Sequence, residues 1–314
     1  MKRKLLFLSL ILIVGILLFL FWDLSLASYQ YALSRRIPKV VAILLTGSAI
    51  GFSSLVFQTI TNNRILTPSV LGLDSLYVFI QTTMIFLLGS QAIAKLDGRI
   101  GFLIAVGVMI CFSVIILGWI LKKVRGSIYL LLLVGIVTGT LFRSGSSFLQ
   151  VIIDPNEFLI LQGSMFASFN NINTGILVLA GVLMVGAIVI GFLKHQTMDV
   201  LALGRDSAIN LGVNYNALTK QILLIVAILV SVSTALVGPI TFLGVLVTNL
   251  AREYLKTHRH FHLLIGSMLV GCIALIFGQL LVEQVFHFNT PISVMINFIG
   301  GLYFIRLLLK ESQL

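Results

Sequence analysis

Nine long apolar runs alternate with short polar joints along the chain: Leu5–Trp22, Val40–Ile60, Leu71–Ser90, Ile100–Leu121, Ile128–Gln150, Ile172–Leu193, Leu218–Val237, Phe261–Val282 and Ser293–Leu309. About 20 apolar residues coiled as a helix match a hydrocarbon core of roughly 30 Å. Helix is the form that satisfies its own backbone there, because an open strand leaves N–H and C=O groups without partners. The pattern predicts an all-α, polytopic membrane protein with one transmembrane domain over residues 1–314. The first run lies between Met1-Lys2-Arg3-Lys4 and Ser25-Leu26-Ala27. Those are also the flanks of a secretory leader, but its length and its place at the head of a polytopic chain predict an uncleaved first span.

Leu218–Leu250 is too long for one span and is broken at Gly238-Pro239, leaving a second limb short enough to be re-entrant. Charge decides between the readings. Lys194, Arg205 and Lys220 precede the stretch, and Arg252, Lys256 and Arg259 follow it. Both groups belong on the cytoplasmic side, so the chain must cross out and back between them. That gives about ten spans with both termini inside. The same side receives Lys2, Arg3, Lys4, Arg64, Lys122, Lys123, Arg125, Arg306 and Lys310, against Arg35, Arg36, Lys39, Lys95 and Arg99 outside and Arg143 near a helix end. The cluster at Arg35–Lys39 is the exception and needs its own explanation.

Composition agrees: 59% of the 314 residues are hydrophobic and 10% are charged, too little polar surface for a water-soluble chain of this length. The net charge of +11 sits in the joints between spans, without the aromatic interleaving of a nucleic-acid surface, so nucleic acid is excluded as a partner and membrane lipid is expected. Cys111 and Cys272 fall inside apolar runs and read as small buried hydrophobes. The chain has no HExxH, Walker A or GxSxG string, so no catalytic or metal site and no bound cofactor are expected, and any energy must come from ions or another subunit.

Small residues suggest close helix packing or a polar lining. Gly47 and Gly51 stand four apart, as do Gly135 and Gly139. The dense Ser/Gly/Thr stretch of Gly135, Thr138, Gly139, Ser144, Ser146 and Ser147 is a candidate translocation passage. The longest polar joint, residues 194–217, reads as two short helical turns stopped by Gly204 and Gly212, with Asp206 as N-cap of the second. It would leave Leu201, Leu203, Ile209 and Leu211 facing the cytoplasm, the mark of a protein partner. Arg252–His262 carries Glu253, His258, His260 and His262, which read as a titratable loop rather than a metal site. Asp74 and Arg143 lie within a few turns of span ends, where snorkelling explains them as well as function does.

The string Leu201-Ala202-Leu203-Gly204-Arg205-Asp206-Ser207-Ala208-Ile209-Asn210-Leu211-Gly212-Val213 resembles the coupling loop of the FecCD family of ABC importer permeases. Arg36-Ile37-Pro38-Lys39, Asn63-Arg64-Ile65-Leu66-Thr67-Pro68-Ser69-Val70-Leu71-Gly72, Leu161-Gln162-Gly163-Ser164 and Gly238-Pro239-Ile240-Thr241-Phe242-Leu243-Gly244 resemble further motifs of the family, in order, from about residue 30 onward. Two motifs depart: Thr248-Asn249-Leu250-Ala251-Arg252 lacks the family's Pro-His, and Asn289-Thr290-Pro291-Ile292-Ser293 lacks its Glu.

The resemblance implies a BtuC-like permease fold and transport of a ferric siderophore or other iron chelate, with haem or cobalamin as alternatives. It implies ABC ATPase subunits that carry ATP, a second permease, and an extracytoplasmic binding protein as partners, in the bacterial cytoplasmic membrane. Leu201, Leu203, Gly204, Arg205, Asp206, Ile209, Leu211 and Gly212 would couple to the ATPase, and Arg35, Arg36 and Lys39 would dock the binding protein. An ion-coupled transporter would instead need a carboxylate deep in the membrane. An intramembrane hydrolase would need a base beside Ser146 or Ser147, for which His287 lacks the spacing.

Overall fold

The computed structural model describes residues 1–22, 29–95, 97–123, 128–170, 172–288 and 290–311. Ser25-Leu26-Ala27, Arg125 and Asn289 lie outside the described residues, as do the side chains of Lys95, Lys122, Lys123 and Lys310.

The described residues are helical, without strands. Ten helices are longer than twelve residues: α1 (Lys2–Phe21), α2 (Tyr29–Thr61), α3 (Leu73–Leu88), α5 (Gly98–Lys123), α6 (Ile128–Ile152), α8 (Thr174–Phe192), α11 (Tyr215–Val237), α12 (Leu243–Leu255), α13 (His260–Gln284) and α14 (Ile292–Glu311). Four short ones join them: α4 (Ser90–Lys95), α7 (Pro155–Met165), α9 (His195–Leu201) and α10 (Arg205–Asn210). By length and composition α1, α2, α5, α8, α11 and α13 can each cross a bilayer. Large apolar side chains on the outer faces, such as Leu17, Leu141, Val182 and Phe298, are more than half exposed or nearly so, as lipid contact requires.

Glycine decides how closely the central helices meet. A Cβ on Gly47 would lie 2.7 Å from the backbone N of Cys272, and one on Gly51 would overlap the carbonyl of Ser267. The pair four apart on α2 therefore packs α13 rather than lining a channel. The helix α2 also begins earlier than expected. Pro38 sits inside it, not in its first turn, and removes one rung of the ladder near the exposed end.

The break at Gly238-Pro239 ends α11 as predicted. Gly238 has φ 101°, and a Cβ there would sit 2.9 Å from the Ala167 Cα, so both conformation and space demand glycine. The returning limb is half-length: α12 has 13 residues, about 20 Å of rise, and is preceded by irregular backbone at 239–242. Its far end reaches the start of α1, where Lys4 Nζ donates to the Tyr254 carbonyl at 2.6 Å. This end of the bundle, which also holds α9, α10 and the start of α13, is the basic end. Asn63–Gly72 folds back into the bundle beside it: Gln58 Nε2 donates to the Arg64 carbonyl (2.7 Å) and to Thr248 Oγ1 (2.8 Å), and Asn249 Nδ2 donates to the same carbonyl (3.1 Å). Thr248 and Asn249, which replace the family's Pro-His, serve as the fastening for that loop.

Candidate functional site

At the basic end, α9 and α10 are separated by Gly204, whose φ 95° and ψ 166° suit glycine alone. After α10 the chain turns at Gly212 (φ 82°), with Gly212 N–H donating to the Ile209 carbonyl and Val213 N–H to that of Ala208, the paired bonds of a glycine-stopped helix. Gly204 precedes α10 as its N-cap, and Asp206 lies in the first turn instead of capping it. A carboxylate there still favours the helix N-terminus.

The apolar residues divide. Leu201 is 4% exposed and packs into the core with Met198 and Ala208, whereas Leu203 (62%), Ile209 (49%) and Leu211 (62%) project outward. Leu201 turns inward because it ends α9, before Gly204 redirects the chain. The outward set forms an apolar patch of three on a polar joint. Arg205 lies over the Tyr215 ring at 5.8 Å. The short helices are fixed to the bundle from below: Asp199 on α9 meets His260 at the start of α13, and the far side of that ring meets Thr59 of α2 at 2.8 Å.

At the opposite end, Arg36 and Lys39 are engaged within the chain. Arg36 Nη1 donates to the carbonyls of Leu20 (2.9 Å) and Trp22 (2.8 Å), closing the C-terminus of α1. Lys39 Nζ pairs with Glu283 at 2.8 Å, both side chains at least 85% buried. Gln279 Nε2 donates to the same carboxylate (3.0 Å). Arg35 is exposed and lies over the Tyr31 ring at 5.8 Å. This explains part of the charge cluster on the wrong side: two of its three cations serve internal contacts.

Between the ends, the expected passage on α6 is only partly open. A Cβ on Gly72 would lie 2.9 Å from Gly139, and one on Gly135 would overlap the Val70 carbonyl. Both α6 glycines thus seat the turn at 68–72. Thr138 and Ser146 donate back to their own helix, at 2.7 Å to Val134 and 2.9 Å to Phe142. Ser144 and Ser147 are exposed. Beside them lies a cavity of about 220 Å³ lined by Asp74, Arg143, Pro239, Thr241, Ser293 and Asn297 among others. Thr241 Oγ1 donates to Asp74 Oδ2 at 3.3 Å, and Ser69 and Thr234 line a smaller adjoining pocket with Asp74. Of the two readings open for Asp74 and Arg143, snorkelling and function, the fold favours the second by turning both onto one cavity. The signal available in the sequence was the place of Arg143 among the serines of α6. No group of three or more potential metal-ligating side chains occurs among the described residues.

The FecCD transport family model matches residues 4–310. The chain is 58% identical over 303 residues to the petrobactin import system permease protein YclO of Bacillus subtilis, covering 96% of this chain and 95% of that one. It is 36% identical to the petrobactin import system permease protein FatC of Bacillus anthracis, covering 91% and 81%. Among solved structures it superposes on an inward-facing metal-chelate type ABC transporter with TM-score 0.84 and 24% identity, over 98% of this chain and 99% of the other, a likeness of fold. With a family model spanning nearly the whole sequence and a relative matched end to end, the chain belongs to the FecCD transport family.

Proposed function

We propose that this chain is the membrane-spanning permease of an ABC importer for a ferric siderophore of the petrobactin type. The 58% identity to a petrobactin import permease carries the substrate class. The exposed Leu203, Ile209 and Leu211 on a glycine-stopped joint support the coupling mode, since the chain brings no nucleotide motif of its own. The basic end faces the cytoplasm by the positive-inside rule, so both termini and the α9–α10 patch lie where an ATPase can reach them. A second permease would complete the passage along α6, ATP would bind on the ATPase subunits, and an extracytoplasmic binding protein would deliver the chelate at the Arg35 end. The chain performs translocation without covalent chemistry.

Uptake of radiolabelled ferric petrobactin into proteoliposomes, with and without the ATPase and ATP, tests the reading. Uptake that needs both is expected. Uptake driven by an ion gradient without the ATPase would overturn it in favour of an ion-coupled carrier, for which Asp74 would be the coupling carboxylate.

A further inference from the structure

The cavity beside α6 contains an unused cation. Among the described residues the ion pairs are Lys39–Glu283 and Asp199–His260, and Arg143 is in neither, although Asp74 lines the same cavity. Among the described residues Arg143 also has no hydrogen-bond or ring partner. It stands nine residues before the end of α6, about 13 Å along the helix, so it is well inside the bundle's length. A snorkelling arginine would extend along α6 to the headgroups; this one lines a cavity shared with Pro239 and Asn297, on the broken segment and on α14. Arg143 is exposed where it borders the cavity, and an ionisable group with five donors at membrane depth is costly there unless an acceptor visits it.

The visitor's chemistry follows from the walls. Iron(III) is a hard cation and is carried by anionic oxygen donors, and a planar guanidinium is the side chain suited to such oxygens. Ser293 and Asn297 add polar contacts on the α14 side, and Ser147 lies one turn beyond Arg143 on the same face of α6. Asp74, held by the Thr241 hydroxyl, brings a carboxyl group to the same space. When ionised it competes with the chelate for the guanidinium, which keeps the site from becoming a trap: a passage must bind well enough to admit and weakly enough to release.

We propose that Arg143 is the residue that contacts the anionic oxygen groups of the passing ferric chelate, with Asp74 as the counter-charge that lets it go. The proposal rests on the importer reading and names its substrate contact.

The test is radiolabelled ferric petrobactin uptake by proteoliposomes holding the complete importer with its binding protein. Arg143→Gln is expected to lower uptake about tenfold, the loss typical of one charge-assisted contact, and Arg143→Lys to retain most of it. Asp74→Asn is expected to lower both KM and the maximal rate. If the Gln variant does not insert, Arg143→Cys in a chain carrying Cys111→Ser and Cys272→Ser supplies the answer after folding. An ethylammonium thiosulfonate reagent should restore uptake and a sulfonate reagent should not. Unchanged uptake in Arg143→Gln, or equal rescue by both reagents, overturns the inference while the importer reading stands. Wild-type liposomes that take up no ferric chelate with ATP present overturn both.

Discussion

One oxygen of Asp199 holds His260 twice: Oδ1 accepts the backbone N–H of His260 at 2.7 Å and its Nδ1–H at 2.7 Å. The first bond satisfies a donor that the start of α13 would otherwise leave open. The second fixes the ring so that Nε2 faces Thr59. When the ring is neutral, Thr59 donates to Nε2; when it is charged, Nε2–H donates and the Thr59 hydroxyl turns to the Leu55 carbonyl, 3.0 Å away. Either way α9, α13 and α2 meet at one imidazole.

Breaking that junction should loosen the apolar patch of α9 and α10 without removing it. Asp199→Ala is expected to cost about 1 kcal/mol of stability, the usual worth of a lost cap, and to lower uptake per ATP hydrolysed. Asp199→Asn, which keeps an acceptor, should retain more of both. The measurement is the ratio of chelate transported to phosphate released, with a thermal melt of the purified chain. An unchanged ratio in the Ala variant would leave Asp199 as a cap alone.

The exposed patch makes a sharper prediction. Leu203→Ser together with Leu211→Ser should abolish co-purification of the ATPase, because each loses about 1.5–3 kcal/mol of burial at a docked surface. Leu201→Ser should instead destabilise the permease itself, since its side chain is buried. Pull-down and melting curves on the two sets separate docking from folding. Equal behaviour would mean that the outward set is not an interface.

Gly204→Val tests the backbone. Nothing lies within 4 Å of the space a Cβ would occupy, so the penalty comes from φ 95° alone. A cost on the order of 1–3 kcal/mol is expected locally. Uptake should fall while the rest of the bundle melts normally; full uptake would show that this joint tolerates another shape.

Lys39 and Glu283 supply a charge-swap test. Lys39→Glu should weaken the permease by about 3–5 kcal/mol, because a buried carboxylate would then face another. Adding Glu283→Lys should restore much of it. If binding-protein-dependent uptake is restored as well, Lys39 acts inside the chain, and Arg35 is left as the cation available for docking. If stability returns without uptake, Lys39 contributes to docking despite its partner.

Much of the fold was legible because its signals are local. Run length gave the spans, Gly238-Pro239 gave the break, and Gly204 and Gly212 gave the stops after α9 and α10. The rest depends on contacts that sequence distance conceals. Lys39 and Glu283 are 244 residues apart, so the misplaced cation read as a docking group. Asp74 and Arg143 looked like separate span-end charges because the cavity they line also needs the 239–241 segment and α14. Leu201 looked like its outward neighbours because the period of a seven-residue helix is too short to fix a face. The glycines of α6 have the spacing of a channel lining and of a packing seam alike, and only the turn at Gly72 distinguishes them.

The longest helix joins two of these places. Between Lys39 and Thr59, α2 runs without proline for about 30 Å. One end is clamped to Glu283 and the other to the His260 ring. A stiff strut pinned at two places so far apart cannot tilt at one without displacing the other. If ATPase engagement shifts the Thr59 end, the outer face must change its affinity for whatever lands there, and by reciprocity a landing outside must alter ATPase affinity by the same factor.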